Sequence, residues 1–82
     1  EAFQLGLVDV VVPAAELVKA ATELAGSIAA NAPIAVRHCI DAVESEDPLE
    51  EARLFGVTCA TQDMKEGTRA FLEKRPPTFK GV

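Results

Sequence analysis

The densest group of potentially reactive side chains is a set of carboxylates between residues 44 and 51. Its members are Glu44, Glu46, Asp47, Glu50 and Glu51. Neighbouring carboxylates can perform general acid–base chemistry when burial or like charge raises the pKa of one of them. These carboxylates fall in a polar connection around Pro48, where Asp and Glu also cap and stabilise the start of a helix. The pattern therefore favours a solvated acidic turn, and we predict no catalytic residue in the chain.

Histidine and cysteine are too sparse for a metal site. His38 is the only histidine, and Cys39 and Cys59 lie twenty residues apart without a CxxC pair. A structural zinc ion needs four close ligands, so we predict no metal. His38 is expected at the boundary or surface of its helix and not as a general base. The cysteines are expected to be buried, reduced thiols, with a disulfide between them left open.

The charges divide into an acidic body and a basic tail. Residues 1–64 carry three basic and eleven acidic side chains (−8), whereas residues 65–82 carry five and two (+3), which gives the total of −5. This total argues against general nucleic-acid binding. The basic end suits a phosphate-bearing small ligand, although cations also favour a helix C-terminus, and both interpretations stay open.

One pair within the basic end could bind such a ligand. Phe71 and Lys74 are three residues apart, so on a helix they lie on the same side. The ring could hold a purine and the ammonium a phosphate. A core phenylalanine beside a surface lysine is the alternative.

Prolines and capping residues predict four short helices. Their bounds are about Ala14 to Ala30, about Pro33 to Glu44, a start at Asp47-Pro48, and a last helix from Thr61 to about Lys74. The β-branched run before Pro13 is typical of a short strand or an extended segment. We therefore predict an all-α chain with an extended segment over residues 1–13, a helical region over 14–75 and a C-terminal tail over 76–82.

Each predicted helix has an apolar face at helical spacing. These faces consist of Leu17, Ala21, Leu24 and Ile28, widened by Val18 and Ala25; Val36, Cys39, Ile40 and Val43; Leu49, Ala52, Phe55, Gly56 and Cys59; and Met64, Gly67 and Phe71. Leu54 and Val57 lie on another side of the third helix, which is thus apolar on two sides. Contact with another domain or subunit is indicated, with scattered surface apolar residues as the alternative.

The chain length limits what the protein can do. With 82 residues, it can form one small core but is too short for most enzymes that bury a substrate. Because it begins with Glu1 and its only methionine is Met64, we expect a piece of a longer protein. No apolar run approaches the roughly 20 residues of a membrane span. A cytoplasmic location is expected, and an organelle-targeting segment is left open.

Short motifs follow one another along the whole chain. They are Gly6-Leu7-Val8-Asp9, Val11-Val12-Pro13, Ile28-Ala29, Pro33, Ala35-Val36, Glu51, Phe55, Asp63, Glu66-Gly67, Ala70-Phe71-Leu72-Glu73-Lys74-Arg75-Pro76 and Phe79-Lys80-Gly81. In this order they resemble the C-terminal third of the enoyl-CoA hydratase/isomerase (crotonase) superfamily. The most specific part is EG followed by AFLEKR and a closing FKG.

The resemblance implies the C-terminal helical region of a crotonase-like fold, which builds trimers that often pair into hexamers. The active site of such enzymes lies in an N-terminal ββα spiral. There, two glutamates add water to the double bond of a 2-enoyl-CoA, and two backbone N–H groups stabilise the thioester enolate. The coenzyme A thioester is the substrate, and no covalently bound cofactor is implied.

The resemblance also assigns roles to individual residues. Phe71 and Lys74 match positions that reach from one subunit to the coenzyme A of its neighbour. Many relatives carry Ser where this chain has Ala32, so the cap of the second helix is expected to be lost or supplied by Asn31.

The predicted function is therefore an oligomerisation and CoA-contacting segment of an enoyl-CoA hydratase/isomerase of fatty-acid or related acyl-CoA metabolism, not catalytic in isolation. Its expected partners are acyl-CoA and further copies, as a trimer or hexamer in the parent enzyme and a dimer or higher for the segment alone. No nucleic acid and no membrane span are expected. Hydratases, isomerases, dehalogenases and carboxyl-handling relatives share this region. The alternative is a non-catalytic helical self-association module.

Overall fold

Four α-helices make up the regular structure of the chain. The computed structural model describes residues 1–82, and the elements in order are a 3₁₀ turn (Ala14–Glu16), α1 (Leu17–Ala29), α2 (Pro33–Ser45), α3 (Pro48–Cys59) and α4 (Gln62–Glu73). No strand is present. The all-α prediction is thus confirmed, and the helices lie close to their predicted bounds.

The valine-rich segment before Pro13 does not form the strand that was one of two predicted possibilities. Backbone hydrogen bonds from Leu5 to Glu1 (3.0 Å) and from Leu7 to Ala2 (2.9 Å) wind residues 1–7 into turns, and residues 10–13 have no regular structure. A strand needs a hydrogen-bonding partner, and every other element of the chain is helical.

Local capping explains where two of the helices, α3 and α4, begin. The Asp47 side chain accepts a hydrogen bond from Leu49 N (3.0 Å), and Thr61 Oγ1 accepts one from Met64 N (3.1 Å), so both predicted N-caps are confirmed. Ala32 gives α2 no side-chain cap. Asn31 does not replace it, because its amide donates backwards to the α1 carbonyls of Ser27 (2.9 Å) and Ile28 (3.3 Å).

The interior is very small and is not built from the predicted faces. Helix α2 packs against α3, and α3 against α4. The only buried residues are Leu54 (5% exposed), Asp63 (3%) and Ala70 (1%). Leu54 is therefore the buried residue of α3, whereas Leu49 and Phe55 of the other apolar face are 81% and 71% exposed. On α4 the predicted stripe of Met64 and Phe71 is exposed as well.

Helix α1 has no buried residue at all. Its apolar stripe is the predicted one, but Leu17, Leu24 and Ile28 all remain more than half exposed. The spacing thus predicted the apolar face of α1, and nothing else in the chain covers that face. Neither α1 nor any other helix combines the length and apolar character needed to cross a bilayer.

The molecule exposes much more surface than a compact protein of its mass. Its accessible area is 6797 Å², compared with roughly 4,700 Å² for a compact monomer of this size. The radius of gyration is 16.4 Å, compared with roughly 12 Å for a compact domain of this length. The helices therefore form an open layer, and most of their apolar area is available to other polypeptide.

Candidate functional site

Phe71 and Lys74 lie at the C-terminal end of α4, both exposed. Phe71 is 81% exposed, so it is not part of the interior that this chain forms by itself. Lys74 ends the helix in the left-handed region (φ 53°). Its N–H donates to the Phe71 carbonyl (3.2 Å), and the Arg75 N–H donates to the Ala70 carbonyl (3.0 Å). This pair of bonds is the Schellman motif, which fixes where Lys74 leaves the helix relative to Phe71.

The Arg75 guanidinium holds the chain immediately after this helix end. Its Nη1 and Nη2 donate to both oxygens of Glu66 (2.7 and 3.1 Å), and its Nε donates to Glu73 (2.6 Å). The hydrogen bond from Arg75, followed by that from the Thr78 N–H (3.0 Å), lowers the pKa of Glu66 to about 2. The same contacts raise the pKa of Arg75 further above its ordinary value. Both side chains therefore stay charged across the neutral range.

The tail, residues 76–82, is bound along the first turns of α4. The buried carboxylate of Asp63 accepts hydrogen bonds from Lys80 N (2.8 Å) and Gly81 N (2.7 Å). The Asp63 N–H in turn donates to the Val82 main-chain oxygen (2.9 Å). These three bonds satisfy one of the free N–H groups at the start of α4 and fix the tail in one register.

A glycine in α4 makes room for the tail's aromatic ring. The Phe79 Cε1 atom lies 3.4 Å from the point that a Cβ on Gly67 would occupy. Together with the bonds of Asp63 and Glu66, this contact shows how α4 holds the tail, a role that sequence reasoning had not assigned to these residues. No local pattern could have identified the pairing, because each tail partner is 12 to 19 residues away along the chain.

His38 is half-buried between α2 and α3, at the predicted boundary, and its partner is Thr58. The Nδ1 atom of His38 lies 2.6 Å from Thr58 Oγ1, whose hydroxyl donates to the Leu54 carbonyl (2.7 Å). The Thr58 hydroxyl proton can point to the Leu54 carbonyl or to the ring, so His38 Nδ1 is the donor in the first case and the acceptor in the second. In either arrangement the contact joins α2 to α3.

The groove around this histidine is mainly apolar. It has a volume of about 350 Å³ and is lined by residues of α2 and α3 that include Cys39, Val43, Leu54 and Phe55. Cys39 is exposed and Cys59 half-buried, both as free thiols, so the prediction of two buried cysteines is wrong. Cys39 lies on the predicted apolar face of α2 and Cys59 on that of α3. Neither face is fully covered by another element of the chain, so both thiols keep contact with solvent.

The carboxylates of the acidic turn, residues 44–51, include side chains that stabilise the start of α3, as their position around Pro48 predicts. Asp47 caps α3, and Glu50 forms a paired hydrogen bond with Arg53 that lowers the pKa of Glu50. No group of three or more His, Cys, Asp or Glu side chains is arranged to hold a metal ion. The contacts of Asp47 and Glu50 therefore serve the first turn of α3.

Comparisons with known proteins agree with the motifs. The chain matches the model of the enoyl-CoA hydratase/isomerase family over residues 1–82. It is 41% identical to a crotonyl-CoA hydratase of Syntrophomonas wolfei, aligned over 96% of this chain and 33% of that protein. It is 35% identical to a 2,3-dehydroadipyl-CoA hydratase of Escherichia coli, over 99% and 34% respectively.

A solved structure shows the same helical arrangement. The crystal structure of an enoyl-CoA hydratase from Bacillus anthracis superposes with a TM-score of 0.91 at 39% identity, covering 99% of this chain and 34% of that one. The chain thus spans about a third of the length of the relatives that it matches.

Proposed function

This chain belongs to the enoyl-CoA hydratase/isomerase family, and we propose that it is the C-terminal segment through which such an enzyme assembles and contacts coenzyme A. The reaction of the whole enzyme would be hydration of a 2-enoyl-CoA, which the names of its relatives support. The segment alone would not catalyse it. The proposed compartment is the cytoplasm, with which the two free thiols are compatible.

The observation that carries the CoA proposal is the exposure of Phe71 next to a lysine fixed at a helix end. A solvent-exposed ring costs free energy unless something covers it, and an adenine base is a suitable flat partner. The Schellman motif ties the Lys74 backbone to Phe71, so one bound molecule could meet the ring with its base and the ammonium with a phosphate. In the family pattern this ligand would belong to the neighbouring subunit.

The proposal of assembly is supported by the uncovered apolar surface. The α1 stripe and the exposed α3 residues Leu49 and Phe55 lie on a chain that buries only three residues. Exposed apolar area of this extent is typical of a surface that other polypeptide covers. The remainder of the enzyme and its neighbouring subunits are the proposed partners.

The CoA contact can be tested with Lys74→Ala in the complete enzyme. Losing a charge-assisted hydrogen bond to a phosphate should weaken CoA binding about tenfold, as measured by calorimetry. The mass from light scattering should not change, because Lys74 is an exposed side chain without an ion-pair partner. Lys19→Ala on α1 removes the same charge elsewhere and should leave the CoA affinity unchanged.

The alternative function makes the opposite prediction for the same variant. If the segment is a non-catalytic self-association module, its apolar faces serve assembly alone and CoA affinity would not depend on Lys74. Unchanged affinity in Lys74→Ala and Phe71→Ala, with assembly intact, would therefore favour the alternative.

A further inference from the structure

A second group of cations lies on a different face of α4 from Phe71. Lys65 and Arg69 are four residues apart on this helix, so their side chains are neighbours on one face. At about 100° per residue, Phe71 points roughly 120–160° away from both. A ligand of these two cations would therefore approach α4 from a different side than a ligand of Phe71.

The bound tail contributes a third cation to the same place. The Lys80 backbone is held against α4 by its hydrogen bond to Asp63. Lys65, Arg69 and Lys80 together line one polar groove of about 410 Å³, which Gln62 and Thr78 also border. We call it the basic groove. It exists only while the tail is docked, because two of its borders come from tail residues.

The cations of the basic groove outnumber its carboxylates by three to two, since Asp63 and Glu66 line it as well. None of the three cations has a carboxylate within 4.0 Å. Glu66 is hydrogen-bonded to Arg75 and to Thr78 N, and Asp63 to two backbone N–H groups. The groove therefore keeps a net positive charge, which a multiply charged anion would balance.

We propose that the basic groove binds the phosphate group of a small molecule, of the phosphomonoester or pyrophosphate type. The Arg69 guanidinium can donate in parallel to two phosphate oxygens, while Lys65 and Lys80 supply flexible point charges. The Gln62 amide and the Thr78 hydroxyl are further donors at the rim. The site is separate from Phe71 and Lys74 and does not rest on the CoA contact proposed there.

The test is calorimetric titration of the complete protein with pyrophosphate. Removing two cations in Lys65→Ala/Arg69→Ala should weaken binding by at least about tenfold. Lys19→Ala/Arg37→Ala removes the same charge from α1 and α2 and should change the affinity by less than about twofold if the effect is local. Equal weakening in both double variants, or no saturable binding by the unaltered protein, would overturn the proposal.

Two further variants distinguish the basic groove from the proposed CoA contact as the site where pyrophosphate binds. Lys80→Gln removes only a side-chain charge, since the tail is docked through its backbone, and should also weaken pyrophosphate binding. Phe71→Ala/Lys74→Ala should leave pyrophosphate affinity unchanged. If this last pair abolished binding, the phosphate would occupy the proposed CoA contact and not the basic groove.

Competition identifies the source of the phosphate. Displacement of pyrophosphate by CoA but not by dephospho-CoA would assign the groove to the 3′-phosphate of CoA. Displacement by neither, with saturable pyrophosphate binding retained, would assign it to a free polyphosphate. Either result supports a phosphate site in the basic groove.

Discussion

Lys74 occupies a backbone conformation that favours glycine, at φ 53°. For a residue with a Cβ this region costs about 1 kcal/mol, and glycine is the usual residue at this place in a Schellman motif. Lys74→Gly should therefore stabilise the enzyme by up to about 1 kcal/mol in chemical denaturation and at the same time weaken CoA binding as Lys74→Ala does. Opposite effects on stability and affinity would show that Lys74 is retained for its side chain.

A matched control exists at the end of α2. Glu46 has the same left-handed conformation (φ 54°) but lies in the acidic turn, away from the proposed CoA contact. Glu46→Gly should stabilise the enzyme by a similar amount and leave CoA affinity unchanged. Equal loss of affinity in both variants would mean that glycine at a helix end, and not the missing ammonium, weakens binding.

The capping residues show which single positions sequence reasoning can predict. Asp47 and Thr61 act on N–H groups two and three residues ahead, so residue type and the following proline or helical pattern suffice. Asp63 and Glu66 were not predicted as anchors, because their partners lie in the tail. A carboxylate early in a helix is compatible with capping, solvent exposure or distant bonding, and spacing alone does not distinguish them.

At the scale of elements, the docking of the tail on α4 should depend on pH through Glu66. Its pKa falls from the ordinary 4.5 to about 2, chiefly because of the hydrogen bond from Arg75. Since the folded-state pKa is the lower one, the ionised contact stabilises the docked tail above about pH 4.5, and this stabilisation is lost as the pH falls toward 2. The protection factor of the Thr78 amide, which compares its exchange rate with that of an unstructured amide at the same pH, should fall over that interval.

Glu66→Gln isolates this effect. The neutral amide loses the charged contact with Arg75, so the Thr78 amide should exchange faster than in the unaltered protein at pH 7. Its exchange should also lose the acid dependence due to this group. Glu23→Gln, on the exposed face of α1, is the control and should not alter exchange in the tail. An identical acid profile in the Glu66 variant would assign the pH dependence to other carboxylates.

The helices themselves were predictable, whereas their packing was not. Prolines 33 and 48, the caps and the apolar spacing act locally, and the four helices are found where these signals place them. Periodicity identifies an apolar face but not the element that covers it. Helix α3 illustrates the difference, since Leu54 is buried while Leu49 and Phe55 are exposed. The second apolar side that sequence reasoning noted on this helix is the one used inside the chain.

At the scale of the whole molecule, the exposed apolar surface has an energetic consequence. The accessible area exceeds that of a compact monomer by roughly 2,000 Å². This excess is larger than the roughly 800 Å² that each partner buries in a standard protein–protein interface. The small interior at α3, α4 and the tail fixes local geometry, whereas the apolar residues of α1 and the α3 residues Leu49 and Phe55 stay exposed within this chain. Polypeptide that covered them would therefore add hydrophobic stabilisation.

The side of α3 that carries Leu49 and Phe55, here called its outer side, allows a test of whether other polypeptide covers this surface. Two carboxylates can be placed there in the complete enzyme by Leu49→Glu/Phe55→Glu, because both residues are largely exposed in the chain. If this surface lies between subunits, desolvating the charges is unfavourable, and light scattering should show a loss of the trimeric or hexameric species. Lys19→Glu makes the same change of two charge units on the polar side of α1 and should leave the mass unchanged. A double variant that keeps the full oligomeric mass would instead place this surface against solvent, and α1 would then be the remaining candidate for the interface.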